Sequence, residues 1–395
     1  MTAAIQAAQR GCSVILFEKN PAVGKKLLAT GSGRCNITND GVAAQKYICA
    51  DLTWMDTLLS HFGVDDLLSM LQQIGILVTK TSDGWYYPIS DSAQTVVMAF
   101  SSALDRVGIT LRPSSRVTAI TLTGKKFLLT VVTENATTAE TFEKVIVASG
   151  GKAYPALGST GELFPILNRL GHKVIPKRPA LAPVLVDLQE LKILQGVRAD
   201  VGTRLWNGKK LLAEAAGNLI FTEWGLNGPA VMDISQAVST DPNVKLTLSL
   251  NFLQFFEADF FARLKEKRAT DLPVKIFLGA YFPPKVTQLY LSLFHITDQL
   301  PLKQLDEGVL QQLIRRLSDT RLPVNGTRGF EFCQVSAGGV PVAEVDPVTL
   351  ESRLIKGLHL VGETVDVVGP CGGYNLHYAF ASGALAGMAV AKQPD

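Results

Sequence analysis

Apolar and polar positions change period several times along this chain, and each change marks the start of a new element. Residues 2–10 are rich in alanine and unbroken until Gly11, which predicts a helix. The next run, SVILFE at 13–18, is continuously apolar until its closing acid, as expected of a strand buried on both faces of a parallel sheet. Helix, glycine, strand and acid in this order form the second half of a βαβ unit. A glycine-rich loop over 24–36 precedes helices expected at 52–62 and 64–76 and a turn at 85–88. An amphipathic helix is expected at 90–108, stopped by Gly108. Strand candidates follow at 115–122, 127–133 and 144–149; the first two form a hairpin around Thr123-Gly124, and the third runs into Gly150-Gly151.

The character changes near residue 186. Residues 205–212 read as a hairpin and 244–252 as an alternating strand. Leu302, Leu305, Val309, Leu310, Leu313 and Leu317 then recur at helical spacing. From Gly329 the glycine-rich α/β pattern resumes: the strand LHLVGE (358–363) leads to a Gly- and Ala-rich helix that Gly372-Gly373 opens. The chain therefore reads as a discontinuous α/β domain, residues 1–185 and 329–395, interrupted by an inserted domain, 186–328. Of the insertion, 186–255 is mainly β and 256–328 mainly α.

Composition narrows the picture only a little. With 395 residues, 47% apolar and 18% charged, the chain is globular and long enough for two or three domains. A net charge of +3 neither demands nor excludes a nucleic-acid partner. No apolar run is long enough to span a bilayer, and MTAAIQAAQRG has no secretory pattern. Cys12, Cys35, Cys49, Cys333 and Cys371 are scattered, with no zinc spacing. Free thiols, a cytoplasmic location and no metal are expected.

Four stretches carry candidate chemistry. Glu18 ends the second strand of a βαβ unit, where an acid accepts from a ribose diol in dinucleotide folds; an acid ending a surface strand fits the same position. Residues 24–39, GKKLLATGSGRCNITN, combine glycines that let backbone N–H groups approach an anion with Lys25, Lys26 and Arg34; a solvent loop is the plainer reading. Gly150-Gly151 allow a tight turn against a ligand, or simply a turn. In residues 362–383 an acid pair, Glu363 and Asp366, precedes a glycine-opened helix whose N-terminus suits the negative N1–C2=O2 edge of a reduced flavin. His377 lies in that stretch, with packing on a helix face as its expected role.

These residues resemble the BaiN/RdsA-type bacterial flavoproteins, a family of NAD(P)/FAD-dependent oxidoreductases. EKNPAVGKKLLATGSGRCNITN, WYYPISDSAQTVV, VASGGKAYPALGSTG, LIFTEWGLNGPAVMDIS and the long stretch from VSAGGVPVAEVDP to GGYNLHYAFASG carry the match over nearly the whole chain. The resemblance implies a Rossmann-like FAD-binding domain of α/β class, interrupted by an insertion with a small β-barrel-like part and a helical part. It implies non-covalent FAD, with Glu18 on the adenosine ribose and Lys26, Gly33 and Arg34 lining the flavin pocket. Gly150 and Gly151 would approach the cofactor, Gly362, Glu363 and Asp366 its pyrophosphate–ribityl part, and Gly373, Asn375 and Leu376 its pyrimidine edge. The family pattern opens with an apolar strand and a G-x-G-x-x-G-type turn ahead of the helix that starts near Met1 here. The expectation is that this chain alone retains FAD poorly and that roughly 15–20 upstream residues restore it.

The function expected is hydride transfer to or from a C–C or C–N bond of a small molecule. NAD(P)H would be a transient donor, because no second dinucleotide fingerprint is present. The family also includes enzymes that form dihydrouridine in ribosomal RNA, and residues 260–321 hold ten Lys/Arg against six Asp/Glu, a modest basic bias. A non-catalytic relative that does not retain FAD is the remaining alternative.

Overall fold

In the computed structural model, which describes residues 1–238 and 244–391, the chain divides into two compact units. The first comprises residues 1–178 and 334–395 and the second residues 179–333. Each has its own apolar core.

The first unit contains two parallel strand pairs. Ile15–Phe17 pairs with Thr110–Arg112, and Leu358–Leu360 with Val145–Val147. An antiparallel meander of Arg116–Thr123, Lys126–Val132 and Thr137–Phe142 is joined by a turn at Gly124. The helices form where expected, because their ends are satisfied locally. Asp51 caps Leu52–His61 by accepting from the N–H groups of Thr53 and Trp54. Asp66 reaches back to the Gly63 N–H at 2.8 Å to start Val64–Gln73.

The final helix, Tyr374–Val390, is mostly buried, and it packs against the first helix, Thr2–Ala8. Glycine makes that approach possible. A Cβ on Gly387 would overlap the Ala3 carbonyl oxygen. Among the described residues no helix is long and apolar enough to cross a membrane.

Several strands were not legible beforehand. Thr38–Asn39, Trp85–Pro88 and Val78–Lys80 form a small antiparallel sheet, where a loop and a turn were expected. Two to four residues are too few to display a period of two. Thr137–Phe142 was also missed: it is an edge strand, polar and mostly exposed, with no apolar face to announce it.

The second unit is built on a closed six-stranded barrel. Around the barrel the order is Val184–Val186, Gly225–Asn227, Lys210–Thr222, Arg198–Asn207, Leu246–Asn251 and Thr320–Thr327, which closes back on Val184–Val186. Leu205, Phe221 and Leu248 fill its core, each completely buried. Helices Glu257–Lys267, Val274–Gly279, Pro284–Leu293 and Glu307–Ser318 follow the fifth strand. The insertion thus ends on a strand rather than a helix, since Thr320–Thr327 returns to complete the barrel. Leu302 and Leu305 precede the helix that carries the other leucines, because Asp306 caps that helix by accepting from the Val309 N–H.

Candidate functional site

The sequence-predicted residues fall into three clusters within the first unit, and each is built by specific backbone turns. The first surrounds Glu18, immediately after the strand Ile15–Phe17. Its Oε1 accepts from the Asn20 backbone N–H at 2.8 Å and from Asn20 Nδ2 at 2.9 Å. These bonds fix the carboxylate and leave Oε2 for a further donor. Asn20 is itself pressed against Gly158, where a Cβ would lie 2.6 Å from its Nδ2.

The second cluster joins Lys26, Gly151 and Glu363. Lys26 Nζ pairs with Glu363 Oε2 at 2.6 Å. The other oxygen of Glu363 accepts from the Ser336 N–H at 2.9 Å and from its hydroxyl at 3.3 Å. A Cβ on Gly151 would overlap Ser336 Oγ and lie 2.8 Å from Glu363 Oε1. A side chain at 151 would therefore displace Ser336 and Glu363 from their polar network. Ser336 is the member that residue-type reasoning missed; the glycines after it, at 338 and 339, were the available signal. Close by in sequence, Asp366 Oδ1 accepts from the Gly338 N–H at 2.7 Å, and the Gly362 N–H donates to Ser382 Oγ at 3.0 Å. Gly150 and Gly362 both adopt left-handed backbone, φ +73° and +57°.

The third cluster is where residues 31–39 meet the start of the final helix. Gly31, Ser32, Gly33 and Cys35 all have positive φ. For Ser32 and Cys35 this conformation costs roughly 1–2 kcal/mol each, so the surrounding contacts must enforce it. A Cβ on Gly373 would lie 2.6 Å from the Thr38 carbonyl oxygen and 2.8 Å from Asn36 Oδ1. Asn36 is buried, and its Oδ1 has no hydrogen-bond partner among the described residues.

Asn375 closes the loop before the helix. Its Oδ1 accepts from the Gly369 N–H at 2.8 Å, and its Nδ2 donates to the Gly369 carbonyl at 2.7 Å and the Pro370 carbonyl at 3.3 Å. The side chain is therefore committed to shaping the turn. Asn375 and Leu376 lie in the first turn of the helix, where backbone N–H groups lack intrahelical acceptors. Arg34 pairs with Asp91 at 2.6 Å and lies over the Tyr87 ring at 4.3 Å, on the exposed side of the loop.

Protonation in this region follows from burial. Desolvation pushes the Cys35 thiol up to about 11, so it stays neutral and unreactive near pH 7. His377 is held down to about 4 by desolvation, against the opposing influence of the Phe62 carbonyl and Asp66. It is a neutral packing residue whose Nδ1 lies 2.9 Å from Thr38 Oγ1.

Lys177 was not anticipated. Its ammonium donates to the Ile175 carbonyl at 3.1 Å and sits 3.4 Å from the Phe164 ring centroid. Burial lowers it from 10.5 to about 8, with Asp366 acting in the opposite direction. A folded-state value below the unfolded one means that the charged lysine opposes folding fully below pH 8 and ceases to do so above pH 10.5. The Tm difference between Lys177→Met and the parent should therefore shift against the variant as pH rises through that window. A difference that stays constant from pH 7 to 11 would contradict the assignment.

Residues 1–389 match the family described as HI0933-like protein Rossmann domain. This chain belongs to that family. The chain is an enzyme of the oxidoreductase kind. It is 35% identical to the 3-dehydro-bile acid delta(4,6)-reductase of Clostridium scindens, over 100% of this chain and 97% of the relative. It is 31% identical to the ribosomal RNA dihydrouridine synthase of Escherichia coli, over 95% of this chain and 91% of the relative. Among solved structures, the 3-ketosteroid-delta4-(5alpha)-dehydrogenase of Rhodococcus jostii shares the fold. Its TM-score is 0.51 at 14% identity, covering 99% of this chain and 94% of that one.

Proposed function

We propose that this enzyme holds FAD non-covalently on its first unit and reduces or oxidises a C–C or C–N bond of a small molecule. When bound, the flavin supplies hydride transfer. The observation that carries the reading is the Gly151–Ser336–Glu363–Lys26 cluster. It is a polar network packed directly on Gly151, where a Cβ would displace Ser336 and Glu363, beside the turn that follows the strand Leu358–Leu360. Such crowding lets backbone N–H groups come close to a cofactor's pyrophosphate and ribityl chain.

In this reading Glu18 Oε2 accepts from the adenosine ribose. Gly150, Gly362 and Asp366 flank the ribityl region. Gly33 and Arg34 edge the ring pocket, with Arg34 oriented by Asp91. The helix that begins after Gly373 turns its free N–H groups, with those of Asn375 and Leu376 among them, toward the pyrimidine edge, where they stabilise negative charge. Asn36 Oδ1, buried without a partner among the described residues, suits an N–H donor of the ring. NAD(P)H would reach the flavin only transiently. The scattered free cysteines are in keeping with a cytoplasmic setting.

Sequence similarity to a bile-acid reductase supports an unsaturated C–C bond as the substrate group. Similarity to a dihydrouridine synthase supports an RNA substrate instead, and charge placement favours the small molecule. Of the ten Lys/Arg in residues 260–321, seven lie within ion-pair distance of a carboxylate, among them Arg263 with Asp259, Arg268 with Glu307 and Arg321 with Asp319. A phosphate backbone needs such charges unpaired.

The test is a titration of the purified full-length protein with FAD, followed by anaerobic reduction with NADH and NADPH. Flavin bands that are released on denaturation and bleached by a nicotinamide donor are expected. A protein that takes up no FAD, even when added, sinks the proposal.

A further inference from the structure

Arg328 stands apart from most of the other arginines of the second unit. Arg204, Arg263, Arg268, Arg316 and Arg321 each pair with a carboxylate. The Arg328 guanidinium carbon instead lies 3.5 Å from the ring centroid of Phe332 and 4.4 Å from that of Trp224. Among the described residues its guanidinium makes no hydrogen bond and no ion pair. Glu223 and Glu331 are each one residue from a ring of the cluster, yet neither carboxylate reaches it.

The barrel fixes all three side chains. The Arg328 N–H donates to the Pro183 carbonyl at 3.0 Å, directly after the closing strand Thr320–Thr327. Trp224 occupies the turn between Lys210–Thr222 and Gly225–Asn227, held by Thr222 Oγ1 donating to the Gly225 carbonyl at 2.8 Å. The strand after that turn packs closely on its neighbour, where a Cβ on Gly225 would overlap the Val184 carbonyl oxygen. Phe332 is brought back by its N–H donating to the Gly329 carbonyl at 3.3 Å, and it stays 38% exposed.

Stacking occupies the faces of a guanidinium and leaves its in-plane N–H groups available. A rigid, aromatic-lined guanidinium with its donors unused is a receptor for a planar anion. We infer that Trp224, Arg328 and Phe332 form a binding site for an organic carboxylate with an apolar body. The two oxygens of the carboxylate match the guanidinium edge, and the rings cover the adjoining carbons. A single cation suits a singly charged carboxylate better than a phosphate dianion. The site lies wholly within the second unit, and its carboxylate binding is independent of the flavin reading.

The test uses trans-cinnamate and its methyl ester as probes, titrated calorimetrically into the full chain, with flavin absorbance recorded on the same samples. The acid should bind at least about ten-fold more tightly than the ester, as expected for a charge-assisted pair. Arg328→Gln should remove that preference and leave ester binding and flavin absorbance unchanged. Arg328→Lys should restore only part of it, having charge without the planar fork. Absence of saturable cinnamate binding overturns the inference. So does an ester bound as tightly as the acid, a preference that survives Arg328→Gln, or inorganic phosphate that displaces cinnamate at equal concentration. A colourless sample that still prefers the acid would count against the flavin reading alone.

Discussion

Gly373→Val should leave a protein that is largely unfolded or flavin-free at 37 °C. The residue has φ +93°, a conformation that a β-branched side chain strongly disfavours. The new Cβ would also lie 2.6 Å from the Thr38 carbonyl oxygen. That carbonyl cannot retreat, because Thr38 is paired with Tyr86 and the neighbouring Ile37 N–H donates to the Tyr86 carbonyl at 2.8 Å. Backbone strain of about 1–2 kcal/mol and overpacking of about 1–3 kcal/mol add to a loss on the order of 2–5 kcal/mol. Against a typical total of about 5–15 kcal/mol, this is severe. Gly373→Ala should show most of the loss, since the first carbon makes the clash. Thermal unfolding with and without FAD is the measurement. A melting temperature within about 2 °C of the parent would show that the loop and the helix start are free to separate.

The second large effect is expected at Glu363. Replacing it with alanine removes the partner of Lys26 and the acceptor for the Ser336 N–H in one step. Both groups are partly buried, with side-chain exposures of 28% for Lys26 and 17% for Glu363, so water compensates incompletely. The expected cost to FAD affinity is about 2–3 kcal/mol, roughly 30- to 150-fold. Glu363→Gln keeps the shape and one acceptor and should fall in between. Lys26→Met combined with Glu363→Gln should lose less than the sum of the single changes, because the two charges are coupled. Strictly additive losses, or an unchanged FAD dissociation constant in Glu363→Ala, would remove this pair from the site.

Each prediction depends on contacts between segments far apart in sequence, and this marks how far the sequence could be read. The glycines at 150, 151, 362 and 373 were visible as glycines, as was the acid at 18. Their grouping was not. Gly151 is constrained by Ser336 and Glu363, and Gly373 by Thr38, so the reason for each glycine lies well over a hundred or more than three hundred residues away. Asn375 has a helix-start position that suggests a ligand contact. Only the folded loop reveals that its amide is spent on Gly369 and Pro370.

The sequence by itself determined the long helices, the α/β class, the inserted second region and the family. These rest on local periodicity, on caps such as Asp51 and on contiguous motifs, all of which act over a few residues. Tertiary structure alone decided that residues 320–327 return to close the barrel, that two-residue strands such as Thr38–Asn39 exist, and that Arg328 meets Trp224. Those features arise from pairing between distant backbone groups. The free energy that fixes them lies in the partner, and a single stretch of sequence does not contain it.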